Sequence, residues 1–184
     1  ETCHKYGLYL FLDGARLGYG LAAPDNDLTL PDIAALCDVF YIGGTKVGAL
    51  FGEAVVIKNP ELAQDFRYLI KQNGGMLAKG RLLGLQFDAL FTDGLYQEIS
   101  AHAIAMAEKL REAFTAKGYN YLAPNRTNQI FVIVPDAHLA KISEQFEYSY
   151  DQRIDATHSC VRFCTGWATR EENVDALIRC VEKL

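Results

Sequence analysis

Nothing in this sequence is long and apolar enough to span a bilayer: no uninterrupted apolar run approaches the roughly 18 residues that a membrane helix needs. A membrane role is not expected, and no secretory leader is evident. Positive charge is also short. Eighteen Lys and Arg face 23 Asp and Glu, for a net charge of −5. That balance argues against nucleic acid or an anionic lipid surface as partner. Paired-cysteine chemistry is missing too. Cys3, Cys37, Cys160, Cys164 and Cys180 are odd in number, dispersed and without a CxxC, so they read as reduced thiols of a cytoplasmic protein. Cys160 and Cys164 form a weak metal motif, but they lie in a strand-like segment and no metal is expected. His4, His102, His138 and His158 lack metal-ligand spacing. His102 is expected on a helix surface. His158 would share a strand face with Arg162 unless the residues between them turn. No histidine is assigned to catalysis.

What remains is an ordinary globular composition, half apolar and 22% charged over 184 residues, enough for one domain or two small ones. The chain is organised around Leu8 to Lys46. Leu8 to Leu12 is an apolar run ending at Asp13-Gly14-Ala15-Arg16. Val39 to Ile42 is a second, ending at Gly43-Gly44-Thr45-Lys46. Each has the length and composition of a strand buried on both faces. Open α/β sheets bind ligands outside the carboxyl ends of their strands. Asp13 and Lys46 are therefore expected at one rim. A carboxylate and a lysine there suit pyridoxal phosphate, which needs a lysine for the Schiff base and an acid for the pyridine nitrogen.

Along the chain, Glu1 to Gly7 is short and polar, and Leu17 to Ala23 begins a short helix. Leu30 to Leu36 predicts a helix with Pro31 in its first turn. Ala54 to Ile57 predicts a strand antiparallel to the second run, because Gly43 to Gly52 is too short for a crossover helix. Pro60 to Lys71 reads as a helix capped by Asn59, and Leu82 to Phe91, almost wholly apolar, as a core helix. Leu95, Ile99, Ala103, Met106, Leu110 and Phe114 recur at helical steps up to a C-cap at Gly118. Strands near Gln129–Val134, Tyr148 and Cys160–Cys164 follow, with helices at Ala137–Phe146 and Arg170–Leu184. The long helix marks the expected division, 1–94 and 95–184. The first residue is Glu1 and a buried strand follows almost at once, so the chain is expected to be cut from something longer.

Asp-Gly-Ala-Arg at a strand end, followed some thirty residues on by a Gly/Thr-Lys-Gly stretch, resembles the β-eliminating lyase and threonine aldolase family of fold-type I pyridoxal phosphate enzymes. Asn73-Gly74-Gly75-Met76 resembles that family's glycine-methionine segment. Val161-Arg162-Phe163-Cys164-Thr165, then Thr169-Arg170-Glu171-Glu172, resembles its C-terminal strand and following helix. The resemblance covers nearly the whole chain. It implies an α/β fold: the C-terminal part of the large cofactor-binding domain (1–94), then a small α+β C-terminal domain (95–184). It also implies a lyase acting on a small amino acid, by aldol cleavage to glycine and an aldehyde or by β-elimination. Other fold-type I activities, an aminotransferase or a desulfurase, and a non-catalytic truncated subunit are the alternatives.

The resemblance assigns roles. Lys46 would form the Schiff base; on the sequence alone a solvated loop lysine reads equally well. Asp13 would pair with the pyridine nitrogen, where the alternative is a strand-end turn. Arg16 would lie near the cofactor's phenolic oxygen and the substrate, where the alternative is a salt bridge on the first turn of a helix. Thr45 would bond the cofactor phosphate. Arg162, a charge in an apolar strand, would hold the substrate carboxylate through a bidentate contact, where the alternative is a structural ion pair with an Asp or Glu. Lys79 and Arg81 read as a solvated cationic face, with a reach toward phosphate as the alternative. Family members carry a whole N-terminal half before Asp-Gly-Ala-Arg, supplying the group stacked on the ring and the phosphate-holding turn. None of it is present here, so a companion chain or a homo-oligomer is expected to complete the site.

Overall fold

A computed structural model describes residues 1–184. The chain divides into two compact units, Glu1–Leu21 with Asn26–Glu98, and Ala22–Asp25 with Ile99–Leu184. No helix is long and apolar enough to cross a membrane.

The first unit begins with a short helix α1 (Thr2–Lys5), where only a polar segment was expected. Strand β1 (Phe11–Leu12) follows, then α2 (Leu17–Leu21), α3 (Leu30–Leu36), β2 (Val39–Gly43) and β3 (Glu53–Ile57). Helix α3 starts where it does because Thr29 and Asp32 cap each other. The Thr29 backbone N–H donates to Asp32 Oδ2 at 2.8 Å, and the Asp32 N–H donates to Thr29 Oγ1 at 3.4 Å. The sheet order is β1-β2-β3, with β1 parallel to β2 and β3 antiparallel to β2. The short link between β2 and β3 thus makes the antiparallel pair its length required. Parallel β1 and β2 bring the turns after Leu12 and after Gly43 out at the same rim.

Three expectations for this unit need correction. The strand over Leu8–Leu12 is only two residues long and is not buried on both faces: Leu8 and Phe11 are each 59% exposed. It is an edge strand, paired to β2 alone, and nothing in the chain covers its other side. The helix over Pro60–Lys71 is two helices, α4 (Pro60–Ala63) and α5 (Phe66–Gln72), separated at Asp65 with φ of 56°. Only Leu62, Phe66 and Ile70 are even half-buried there, and so short a helix holds together mainly through packing. Asn59 does cap α4, accepting from the Glu61 N–H at 3.0 Å. Helix α6 (Arg81–Phe91) is not a core helix. Of its residues only Leu90 is buried, while Leu82 and Leu85 are 51% and 59% exposed. It meets the β2–β3 link through Leu83, Gln86 and Phe87, and its other flank has no cover in this chain.

Helix α7 (Leu95–Ala116) follows its predicted period from Ala103 on, with Ala103, Met106, Leu110 and Phe114 all buried, but in its first turns Tyr96 and Ser100 are buried while Leu95 is exposed and Ile99 half-buried. Gly118, at φ of +81°, closes it, and the Tyr119 N–H reaches the Phe114 carbonyl at 3.0 Å. The second unit adds β4 (Asn120–Tyr121), which was not anticipated, then β5 (Gln129–Pro135), α8 (Asp136–Ile142), β6 (Ser149–Arg153), β7 (His158–Cys164) and α9 (Glu171–Glu182). These strands form an antiparallel sheet in the order β4-β5-β7-β6. Ile130, Val132, Val134, Val161 and Phe163 turn to one face and form a core with Leu110, Phe114, Leu177 and Val181 of the helices. Gln129, Phe131 and Arg162 belong to the other face, which follows from strand alternation and the Phe131–Arg162 register. His102 is half-buried, its ring bonded to the Thr169 carbonyl at 2.8 Å, which corrects the surface expectation. His158 lies in β7, on the same alternation as Arg162, with its ring against Asp155 at 3.1 Å.

Candidate active site

The rim of the first sheet is built on two glycines with no room for a side chain. The Gly43 N–H donates to the Gly14 carbonyl at 2.9 Å. A methyl group on Gly14 would fall on the Tyr41 carbonyl, and one on Gly43 would meet the Gly14 carbonyl at 2.6 Å. Gly44 is equally crowded, between the Gly52 carbonyl and the Phe87 ring, each 2.6 Å from the position of an added Cβ. The close approach holds the Asp13 turn against the Lys46 turn. Gly14→Ala is expected to destabilise the fold by about 2 kcal/mol, because backbone must separate to admit the methyl. Chemical denaturation of the two forms measures it, and equal midpoints would contradict the clash.

Asp13 sits where β1 ends. Its Oδ1 accepts from the Tyr41 hydroxyl and from the Ala15 N–H, the latter at 3.1 Å. These bonds, Tyr41's first, hold the carboxyl below its ordinary pKa, with nearby Lys46 adding to the effect. The same bond pushes the Tyr41 phenol up to about 12. Lys46 contributes least to the lowering of Asp13, and the two residues form no direct ion pair.

Lys46 follows β2 in a turn pinned by its backbone. Its carbonyl accepts from the Tyr19 hydroxyl at 2.5 Å, the next residue, Val47, is fully buried, and the N–H groups of Val47 and Ala49 both return to the Gly44 carbonyl. The Lys46 side chain projects exposed from this fixed turn. Thr45 is exposed too, its hydroxyl on the Gly52 carbonyl at 3.3 Å. Arg16 is half-buried in the turn before α2 and makes no ion pair. Lys79 and Arg81 are exposed and unpaired.

Arg162 belongs to the second unit. Its guanidinium bonds Gln129 Oε1 at 3.2 Å and Ser149 Oγ at 3.5 Å and lies 6.0 Å from the centre of the Phe131 ring. All three partners are neutral, and no carboxylate stands within ion-pair distance of this half-buried cation. A cavity of about 370 Å³ beside it is lined by Phe146, Glu147, Tyr148, Ser149, Thr169 and Asn173, so Glu147 is the one carboxylate that shares this space with Arg162.

Sequence reasoning did not find Tyr41, Tyr19, Tyr96, Glu53 or Gln86. The Tyr96 hydroxyl donates to the Gly43 carbonyl at 3.0 Å and accepts from the Gly18 N–H at 3.1 Å. Glu53 takes the Gly44 N–H at 2.5 Å, and Gln86 takes the N–H of Leu50 at 2.7 Å. Their targets are backbone groups, which carry no signature in sequence. The only available hint was the density of glycines at 43, 44, 48 and 52, a backbone in need of outside partners.

No protein-family model matches the chain. It is 31% identical over 180 residues to a low specificity L-threonine aldolase of a Pseudomonas species, covering 96% of this chain and 50% of that protein. It is 42% identical to the solved structure of Leishmania major threonine aldolase, with a TM-score of 0.96 over 99% of this chain and 53% of that one. Catharanthus roseus tryptophan decarboxylase shares the fold alone, at 14% identity and a TM-score of 0.72, over 99% of this chain and 44% of that one. The chain spans about half the length of the curated relatives it matches. On these likenesses the chain belongs to the threonine aldolase and β-eliminating lyase family, and its fold is that of the C-terminal portion of fold-type I pyridoxal phosphate enzymes.

Proposed function

We propose that this protein acts as a pyridoxal phosphate-dependent lyase that cleaves a small β-hydroxy amino acid to glycine and an aldehyde. One observation carries the reading: the turns bearing Asp13 and Lys46 leave the same end of the parallel pair β1–β2, and the two side chains form no ion pair with each other. A lysine and a carboxylate left so are set for a third group between them. The donor set fits the cofactor. Asp13 has an oxygen to spare, the amine of Lys46 is unpaired and exposed, and Arg16 is an uncommitted cation on the same turn. When bound, pyridoxal phosphate supplies an electron-accepting ring conjugated to the substrate's α-carbon.

The chain's own residues then divide the work. Lys46 would hold the cofactor through Nζ, and its amine would serve to move protons once the substrate amine is bound. Asp13 keeps the proton on the ring nitrogen, which a carboxylate already stabilised in its ionised form does well. Thr45, whose hydroxyl makes only a long bond to the Gly52 carbonyl, would hold the phosphate, and Arg16 would serve the phenolic oxygen and the substrate. Arg162 takes the substrate carboxylate, for which its neutral partners leave it free. A homo-oligomer in the cytoplasm is the setting we assign; five free cysteines support the compartment.

The test is product analysis. The full protein loaded with pyridoxal phosphate is incubated with L-threonine, L-allo-threonine and L-serine. Glycine and acetaldehyde are expected from the two threonines. Keto acid and ammonia in their place would establish β-elimination, and no turnover of any of the three would overturn the lyase reading.

A further inference from the structure

We propose that Tyr41 is a positioning residue for the cofactor: its hydroxyl and the Ala15 amide both hold Oδ1 of Asp13, so that Oδ2 is the oxygen presented to the ring nitrogen. This rests on the pyridoxal phosphate reading above. Asp13 is exposed on a strand-end turn, where a carboxylate ordinarily rotates among several rotamers. Here two donors converge on one oxygen from different elements, Tyr41 from β2 and Ala15 from the turn itself. No group in the chain bonds Oδ2.

Tyr41 is itself held. Register places it opposite Val55 of β3, and its ring lies against Phe11 with centroids 6.1 Å apart. Its hydroxyl remains protonated over the working pH range, so it acts only as a donor toward the carboxylate. The charged groups facing the pair are Lys46, which acts on Asp13, and Glu53, which acts on Tyr41. The Tyr41 hydroxyl contributes most to the ionised state of Asp13, ahead of the Ala15 N–H and Lys46. A carboxylate both oriented and ionised binds a protonated ring nitrogen more tightly than a freely rotating one, because less freedom is lost on binding.

The experiment uses the full protein and Tyr41→Phe, which keeps the ring and its strand preference. Two quantities are read: the dissociation constant of pyridoxal phosphate by equilibrium dialysis, and the pH midpoint of the bound cofactor's visible absorbance. Tyr41→Phe is expected to weaken cofactor binding about fivefold and to move the midpoint upward, since a ring nitrogen that keeps its proton less firmly withdraws less charge from the Schiff-base nitrogen, which the absorbance reports and which then holds its own proton more firmly. Asp13→Asn is expected to weaken binding about a hundredfold. Adding Tyr41→Phe to Asp13→Asn should change binding by less than about twofold, because the hydroxyl acts through the carboxylate. If Asp13→Asn weakens binding and Tyr41→Phe changes neither quantity, Tyr41 only packs and the proposal falls while the cofactor reading stands. If Asp13→Asn leaves binding intact, Asp13 is not the ring's partner and both fall.

Discussion

Lys46→Ala will abolish covalent attachment of pyridoxal phosphate and lower turnover by at least about a thousandfold, roughly 4 kcal/mol of barrier. Borohydride reduction followed by peptide mass analysis reads the first effect: the peptide containing residue 46 should carry a pyridoxyl group in the native protein and none in the variant. The substitution is clean because the turn does not depend on the side chain. Tyr19 holds the carbonyl of residue 46, buried Val47 follows it, and the Gly44 carbonyl gathers the next N–H groups. Stability should therefore change by less than about 0.5 kcal/mol. Lys46→Arg separates charge from nucleophilicity. It keeps a cation beside Asp13 but no amine, so it should also be without adduct and inactive. A pyridoxyl group found on another lysine of the Lys46→Ala protein would remove Lys46 from the role.

Arg162→Ala should raise the amino-acid KM about a hundredfold, or about 2.7 kcal/mol, while cofactor affinity changes by less than about twofold. The asymmetry follows from what the guanidinium touches. Gln129, Ser149 and the Phe131 ring orient it and none of them neutralises it, so its charge is available to a carboxylate brought by a ligand. Arg162→Lys keeps the charge and loses the planar fork, and is expected to recover about a tenth of the lost affinity. The opposite pattern, weak cofactor binding with an unchanged KM, would reassign Arg162 to the phosphate.

The parts of the fold that were legible in the sequence are those set by local chemistry. The period of α7 and its glycine stop, the Asn59 cap, and the antiparallel return after a link too short for a helix all depend on neighbours within a few residues. The misreadings share one cause. Leu8–Leu12 and Leu82–Phe91 are apolar enough for a core, but apolarity records only what a segment is suited to pack against. Within this chain β1 pairs with β2 alone and α6 packs by one flank, so both leave large side chains exposed.

By itself the sequence determined that a carboxylate and an amine would leave one rim of a sheet, because two apolar runs of strand length each end in a turn bearing one of them. It also determined that a lone arginine would interrupt the apolar strand β7. Only the tertiary structure decided how those groups are held: which oxygen of Asp13 is occupied, what pins the turn of Lys46, and that Arg162 rests on neutral partners. Tyr41, Tyr19 and Gln129 lie 28, 27 and 33 residues from the groups they hold. Contacts at such separations are fixed by strand register and packing, which no local pattern of residues encodes.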